Sequence, residues 1–291
     1  MQSLWMLAAS LLFACMGVCV KLASSAHSAA EIVFWRSLLS FLFIYAYARS
    51  RGLPLTTPHW RFQLQRGVSG LLSLMLYFYG IVMLPLATAV TLNYTSPLFL
   101  ALFLVVLAGH RPPLMLWVSL GLGFVGVILL LHPVFSGEHW LAGSLALGSG
   151  VLAGLAYYNV KELGALGESE WRTVLYFSGL STVGAALWLV LSGEGFGAFA
   201  LRDGIATLEL LGVGGFATLA QLAMTRAYKR GRTFLSASLA YSTVVFASLF
   251  GALLWGERIG PDGWLAMALI AASGLLASHY SRAPSRGGKP A

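Results

Sequence analysis

Residues 87–108 read ATAVTLNYTSPLFLALFLVVLA, a run of 22 residues without a charged side chain. An α-helix needs about 20 predominantly apolar residues to cross the hydrocarbon core of a bilayer, so this segment predicts a membrane-spanning helix. A transmembrane β-strand would need only about 10 residues, and its apolar and polar side chains would alternate, which they do not here. The polar residues of the segment cluster at 93–96, directly before Pro97.

The composition of the whole chain is typical of a polytopic membrane protein. Of the 291 residues, 58% are hydrophobic and 10% are charged, and the mean hydropathy is +0.80. A soluble domain has about 25% charged residues because its surface faces water, and disorder requires low hydrophobicity. The net charge of +8 comes from scattered basic residues rather than from a basic patch, so we expect no nucleic-acid partner.

Nine further stretches have the length and hydropathy of the first, which predicts an all-α membrane protein with ten spans. The predicted spans are residues 4–23, 30–48, 66–84, 87–108, 114–132, 141–160, 172–192, 207–226, 233–255 and 263–281. Most of the 18 Lys and Arg residues fall on the side of the spans that holds the amino terminus. Basic loops stay on the cytoplasmic side, so we predict cytoplasmic termini and a location in the cell inner (plasma) membrane.

The two halves of the chain resemble each other at a constant offset. Gly109-His110-Arg111 recurs 147 residues later as Gly256-Glu257-Arg258, and Asn93-Tyr94-Thr95-Ser96 aligns with Ala240-Tyr241-Ser242-Thr243 at the same offset. Because five helices is an odd number, the second half must be inserted upside down, an architecture common among transporters. We therefore predict a first repeat, a second inverted repeat and a short basic cytoplasmic tail at 1–132, 141–282 and 283–291.

With these features the chain resembles the drug/metabolite transporter superfamily, specifically its EamA branch. The matching residues are Phe34-Trp35-Arg36-Ser37, Thr95-Ser96-Pro97-Leu98-Phe99 and Gly256-Glu257-Arg258, and the resemblance covers about residues 4–280. It departs from the family pattern at His110, where Glu is usual. The resemblance implies alternating access around a central cavity and, as the first choice of function, export of amino acids or related metabolites. An uptake carrier for a vitamin or nucleoside derivative, similar to riboflavin or S-adenosylmethionine, is the alternative.

Polar groups inside apolar spans are candidates for a substrate cavity, because burying them in lipid is costly. Pro97 has no N–H, so the carbonyl of Asn93 loses its helical partner and the helix is expected to kink there. The alternative for the kink is a bend that other helices satisfy, and the cavity interpretation is favoured over it because Tyr241, Ser242 and Thr243 occupy equivalent positions in the other half. Tyr77 and Tyr157 could instead anchor at the interface, and Gln221 could bond across helices. The candidate cavity residues are Tyr77, Asn93, Tyr94, Ser96, Pro97, Tyr157, Gln221, Tyr241, Ser242 and Thr243.

A second set of residues is expected to have a gating or structural role. These are Glu31, Trp35, Arg36 and Arg172. The Trp-Arg pair recurs at Trp171, near the opposite mouth, and Arg36 lies about 9 Å inside its span, where it could also snorkel or pair with Glu31. The basic residues at 61–66 are interpreted as an orientation signal in a short loop.

The distribution of charge also limits the substrate and the chemistry. None of the ten carboxylates lies at mid-depth of a span, so we expect a neutral, zwitterionic or mildly anionic small-molecule substrate and no proton relay through a midplane acid. A membrane enzyme would need paired carboxylates, a metal cluster or an activated nucleophile, and a non-transporting scaffold would not need polar kinks. We therefore predict no catalytic residues, no metal and no cofactor. The lipid bilayer is the other expected partner, with the protein a monomer or homodimer.

Overall fold

The computed structural model describes residues 2–134, 140–193 and 204–281, and within these ranges the chain is all-helical. It contains ten helices long and apolar enough to cross a membrane, which confirms the predicted fold class. They are α1 (Gln2–Ala23), α2 (Ala29–Ser50), α3 (Trp60–Met83), α4 (Leu86–Val106), α5 (Leu114–Leu131), α6 (Trp140–Ala165), α7 (Glu170–Leu191), α8 (Gly204–Arg230), α9 (Thr233–Trp255) and α10 (Pro261–Tyr280).

Two of the ten helices are broken at equivalent places. Helix α4 consists of Leu86–Asn93 and Ser96–Val106, with Pro97 in the first turn of the second segment. Proline fits the start of a helix because its missing N–H would have no helical partner there, so the break falls where the sequence predicts it. Helix α9 breaks at Tyr241 without a proline, between Thr233–Ala240 and Ser242–Trp255.

Helix α3 begins at Trp60, six residues before the predicted start at 66. Gln63 and Arg66 lower the local hydropathy, which favoured a loop. In the fold both side chains are buried, at 1% and 3% exposure, so the protein rather than water surrounds them. The predicted basic loop at 61–66 is therefore the first part of a helix.

The helices pair in a symmetric pattern. The most extensive contacts are between α3 and α6, α1 and α8, α5 and α10, and α2 and α7. Each helix of the first half corresponds to the helix five positions later in the second half. Under this correspondence the pair α3–α6 becomes the pair α8–α1, and the pairs α5–α10 and α2–α7 remain the same. This exchange symmetry is what a duplicated five-helix unit produces. The predicted tail at 283–291 lies outside the described residues.

Helix α6 lies against the broken helix α4 with almost no side-chain layer between them. A Cβ atom at Gly154 would be 2.8 Å from Cβ of Phe99 and 2.9 Å from the backbone nitrogen of Leu100. Small residues allow such close approach of helix backbones in membranes. This contact fixes the position of the α4 break relative to the middle of the bundle.

Candidate functional site

A cavity of about 400 Å³ lies in the middle of the bundle, lined by α1, α2, α3, α4, α6, α7 and α8. Its wall extends from Arg66 and Gln221 to Val20, Ile32 and Leu86, near the end of the bundle where α1 leads into α2. We call this end the α1–α2 end and the opposite one the α6–α7 end. Most of the wall is apolar or aromatic, as in small-molecule sites generally. The polar side chains in the wall are Arg36, Arg66, Ser73, Tyr77, Asn93, Tyr157 and Gln221.

The structure places four of the ten candidate residues in the cavity wall. These four are Tyr77, Asn93, Tyr157 and Gln221. The other six candidates do not line this cavity; they are Tyr94, Ser96, Pro97, Tyr241, Ser242 and Thr243. Tyr241 has no exposed surface and packs in the main hydrophobic core, with its ring 6.4 Å from that of Tyr94. The break in α9 therefore faces the protein core, whereas the break in α4 brings Asn93 to the cavity.

A chain of hydrogen bonds fixes Asn93 at the α4 break. Its Nδ2 donates to Oγ of Ser149 on α6 at 3.0 Å, and that hydroxyl donates to the carbonyl of Ala146 at 2.6 Å. The backbone carbonyl of Ser149 accepts from Oγ of Ser73 on α3 at 2.7 Å. Three helices are thus joined by polar contacts at the cavity wall.

Two arginines contribute the positive charge of the cavity. Arg36 comes from α2 and Arg66 from α3, and the Cζ atom of Arg66 lies 4.1 Å from the ring centroid of Phe177 on α7, a cation–π contact. The Nε atoms of both arginines are buried and have no hydrogen-bond partner among the described residues. Neither side chain forms an ion pair there, and the described lining contains no Asp, Glu or His.

From the sequence alone, Arg66 is expected in a loop and Arg36 in a gating or structural role. A signal for the position of Arg66 was present in the spacing of the residues that follow it. Arg66, Gly70, Ser73 and Tyr77 recur at intervals of four, three and four, which places them on one face of a helix. All four line the cavity.

The remaining gating candidates lie outside the cavity wall. Glu31 accepts from the backbone N–H of Ser28 at 2.8 Å and completes a capping box at the start of α2, and a ring nitrogen of His27 lies 3.3 Å from it. Trp35 contacts Phe34 edge to face, with the ring centroids 5.5 Å apart. The contacts of Glu31 and Trp35 are thus with neighbouring residues of the fold and not with the cavity.

Arg172 belongs to a polar network at the α6–α7 end. It pairs with Glu168 and donates to the carbonyl of Pro54 at 2.9 Å, and Glu168 also accepts from the hydroxyl of Thr57. Burial raises the pKa of Glu168, but the hydrogen bond from Thr57 and the charge of Arg172 outweigh it, so that this pKa lies below its usual value. The network ties the α2–α3 connection to the α6–α7 connection.

Lys229 joins the end of α8 to the same connection. Its Nζ donates to the carbonyls of Glu168 and Ser169 at 3.1 and 3.0 Å and to Oγ1 of Thr173 at 2.7 Å. At the α1–α2 end, by contrast, Lys21 pairs with Glu257 at 3.0 Å, and both side chains are more than half exposed. The buried network therefore closes the α6–α7 end of the bundle, whereas the cavity extends toward the α1–α2 end.

Within the described residues, no group of three or more His, Cys, Asp or Glu side chains is arranged to hold a metal ion. The two cysteines, Cys15 and Cys19, are free and partly buried on α1. The polar groups that line the cavity are amide, hydroxyl, phenol and guanidinium groups, which bind small molecules by hydrogen bonds and charge.

The known proteins to which this chain is similar in sequence are named as transporters or exporters. The sequence matches the EamA-like transporter family over residues 1–132. It is 33% identical over 268 residues to the pseudopaline exporter CntI of Pseudomonas aeruginosa, covering 92% of this chain and 90% of that protein. It is 29% identical over 281 residues to a riboflavin transporter of Rhizobium johnstonii, covering 94% and 89%.

A solved crystal structure has the same fold. It superposes with a TM-score of 0.84 over 97% of this chain and 99% of that chain, at 20% sequence identity. At this identity the likeness concerns the arrangement of helices alone.

Proposed function

The chain belongs to the EamA-like transporter family, and from this premise we propose that it exports a small metabolite through the central cavity by alternating access. It is a multi-pass inner-membrane protein, with ten candidate spans among the residues that the structure describes. General transport follows from the family. The direction, the path and the substrate class are our proposal, with amino acids or related metabolites as the first choice.

The observation that supports this proposal best is the position of the cavity between the two halves of the chain. Helices α1 to α4 and helices α6 to α8 line it together, and its polar groups lie inside the spans. If repeats 1–132 and 141–282 rock against each other, the same polar groups face each side of the membrane in turn. A volume of about 400 Å³ suits a small metabolite.

We take the conformation to be the one in which the cavity is directed to the outside. The α6–α7 end holds the basic residues Arg172, Lys229 and Arg230, and the positive-inside rule assigns such an end to the cytoplasm. The buried network of Glu168, Arg172 and Lys229 then acts as the closed inner gate. Export is favoured because the relative at 33% identity is named an exporter.

Uptake of a vitamin-like compound is the second candidate. The cavity wall includes the aromatic rings of Phe13, Tyr77, Phe78, Tyr157 and Phe177, which suit a flat heterocyclic ring. The relative named a riboflavin transporter favours a vitamin-like substrate.

The test uses the purified full chain in liposomes loaded with an isotope-labelled extract of bacterial small molecules. We expect a defined subset of compounds to leave these liposomes faster than protein-free liposomes. Asn93→Ala removes the amide at the α4 break and should slow the release of the same subset while the unfolding temperature stays near that of the wild type. Equal release from protein-containing and protein-free liposomes would contradict the proposal.

A further inference from the structure

Arg36 and Arg66 place two positive charges at the wall of the cavity. Both guanidinium groups line the cavity, and the side chain of Arg66 is almost fully buried. Among the described residues neither has an acidic partner, and the Nε atom of each has no hydrogen-bond acceptor. Burying an unpaired charge is expensive in a protein interior and especially so within a membrane. Two such groups on one cavity wall are suited to an anionic ligand.

We infer that the two guanidinium groups bind carboxylates of the substrate, and that the substrate class is a small metabolite with at least two carboxylates. This inference rests on the proposed function and deepens it by naming the charge of the cargo. Arginine presents a planar fork of N–H donors that matches a carboxylate with two parallel hydrogen bonds. Two arginines from different helices match two such groups on one molecule.

The surroundings of the pair agree with a ligand of this class. The ring of Phe177 lies against the guanidinium of Arg66, and a stacked guanidinium keeps the N–H groups at its edge free for acceptors. Tyr77, Asn93 and Tyr157 line the same cavity and can bind the other polar groups of the substrate. Without a described acid in the wall, an organic cation would meet two positive charges and no counterion.

The experiment compares release of the labelled extract from liposomes that contain wild type, Arg36→Gln, Arg66→Gln or Arg66→Lys. Arg61→Gln is the matched control, because Arg61 is exposed and lies on the same helix outside the cavity. We expect the released compounds to be those with two or more carboxylates. Each Gln variant should release them at least tenfold more slowly, Arg66→Lys should be intermediate because it keeps the charge and loses the fork, and the control should equal wild type.

Thermal unfolding separates binding from folding. Removing a buried unpaired charge should leave the unfolding temperature of the Gln variants equal to or above that of wild type. A structural arginine would give the opposite result. Unfolding temperatures below wild type in both Gln variants, together with wild-type release by Arg66→Lys, would overturn the inference.

Three further outcomes decide the matter. Release of neutral compounds, amines or phosphate esters without carboxylates overturns the inference and leaves the proposed function standing, as does wild-type release by both Gln variants. If no compound is released, the proposed function fails, and the inference is then tested by ligand binding alone. In that case the inference requires that the polycarboxylate fraction of the extract raise the unfolding temperature of wild type but not that of the Arg36→Gln/Arg66→Gln double variant. If the fraction shifts both unfolding temperatures equally, or shifts neither, the inference is overturned.

Discussion

The contact between α6 and the broken helix α4 makes Gly154→Ala a sharp perturbation. A Cβ atom at this position would lie 2.8 Å from Cβ of Phe99, 2.9 Å from the nitrogen of Leu100 and 3.0 Å from the carbonyl oxygen of Ser96. Carbon atoms in contact prefer about 3.5–4.0 Å. Because two of the three neighbours are backbone atoms, no side-chain rotation relieves the overlap, and the helices must separate by roughly 0.5–1 Å.

The expected loss of stability is that of an overpacked core, about 1–3 kcal/mol. Replacing Gly by Ala also favours the helix by about 1 kcal/mol, so a control must share this gain. Gly143→Ala on the same helix does so, since a Cβ there meets nothing within 4 Å. At ~2–4 °C per kcal/mol, Gly154→Ala should unfold roughly 2–12 °C below Gly143→Ala, as measured by thermal unfolding of the purified protein in detergent.

The same variant should also slow transport. A displaced α6 alters the hydrogen bond between Asn93 and Ser149, now 3.0 Å long, that holds the amide at the cavity wall. Liposome release measured below the unfolding temperature reports this effect. If Gly154→Ala and Gly143→Ala unfold at the same temperature and transport alike, the close packing of α6 on the α4 break is wrong, and with it the placement of Asn93.

Three other predictions follow from the buried tyrosine, the inner network and the coupling of transport. Tyr241→Ala should destabilise the protein by about 3–5 kcal/mol, the range for large aromatic side chains. Tyr241→Phe should be near neutral in the same thermal assay, because the hydroxyl is buried without a described partner. The pKa of Glu168 is lowered, so its carboxylate stabilises the fold above the ordinary value of about 4.3 and this stabilisation is lost as the pH falls through the lowered pKa. The unfolding-temperature difference between wild type and Glu168→Gln should therefore narrow from pH 6 to pH 3, and a constant difference would contradict the role of the network. A pH gradient imposed on liposomes without a substrate gradient should drive no accumulation, because no described acid or histidine lines the cavity, and accumulation abolished by a protonophore would refute this.

The number of spans and the break at Pro97 could be predicted from the sequence because each has a local cause. Twenty apolar residues must cross the bilayer as a helix, since no water is present to bind the backbone. Proline removes a helical hydrogen bond wherever it stands. Neither effect depends on which other helices lie nearby.

The cavity wall could be predicted only in part, because it depends on the packing between helices. Asn93 and Tyr241 belong to aligned motifs, yet Asn93 lines the cavity and Tyr241 lies in the core. Lipid and protein core are equally apolar, so the lipid-facing and core-facing sides of a helix in this fold differ little in hydrophobicity. The position of Arg66 is hard to predict for a related reason, since hydropathy counts a cation as a loop residue whether its side chain faces water or a buried cavity.

The most direct test asks whether the substrate passes through the cavity. Gly17 on α1 lines it, and a side chain there would meet nothing within 4 Å. Gly17→Cys is made in a background of Cys15→Ala and Cys19→Ala, labelled in detergent with a bulky maleimide, verified by mass and then reconstituted. Gly143→Cys, which lies outside the cavity wall, is labelled in the same way as the control.

We predict that labelling at position 17 abolishes release of the transported compounds, while unlabelled Gly17→Cys and labelled Gly143→Cys release them at the wild-type rate. Release by the labelled Gly17→Cys protein at the rate of its unlabelled form would contradict transport through this cavity.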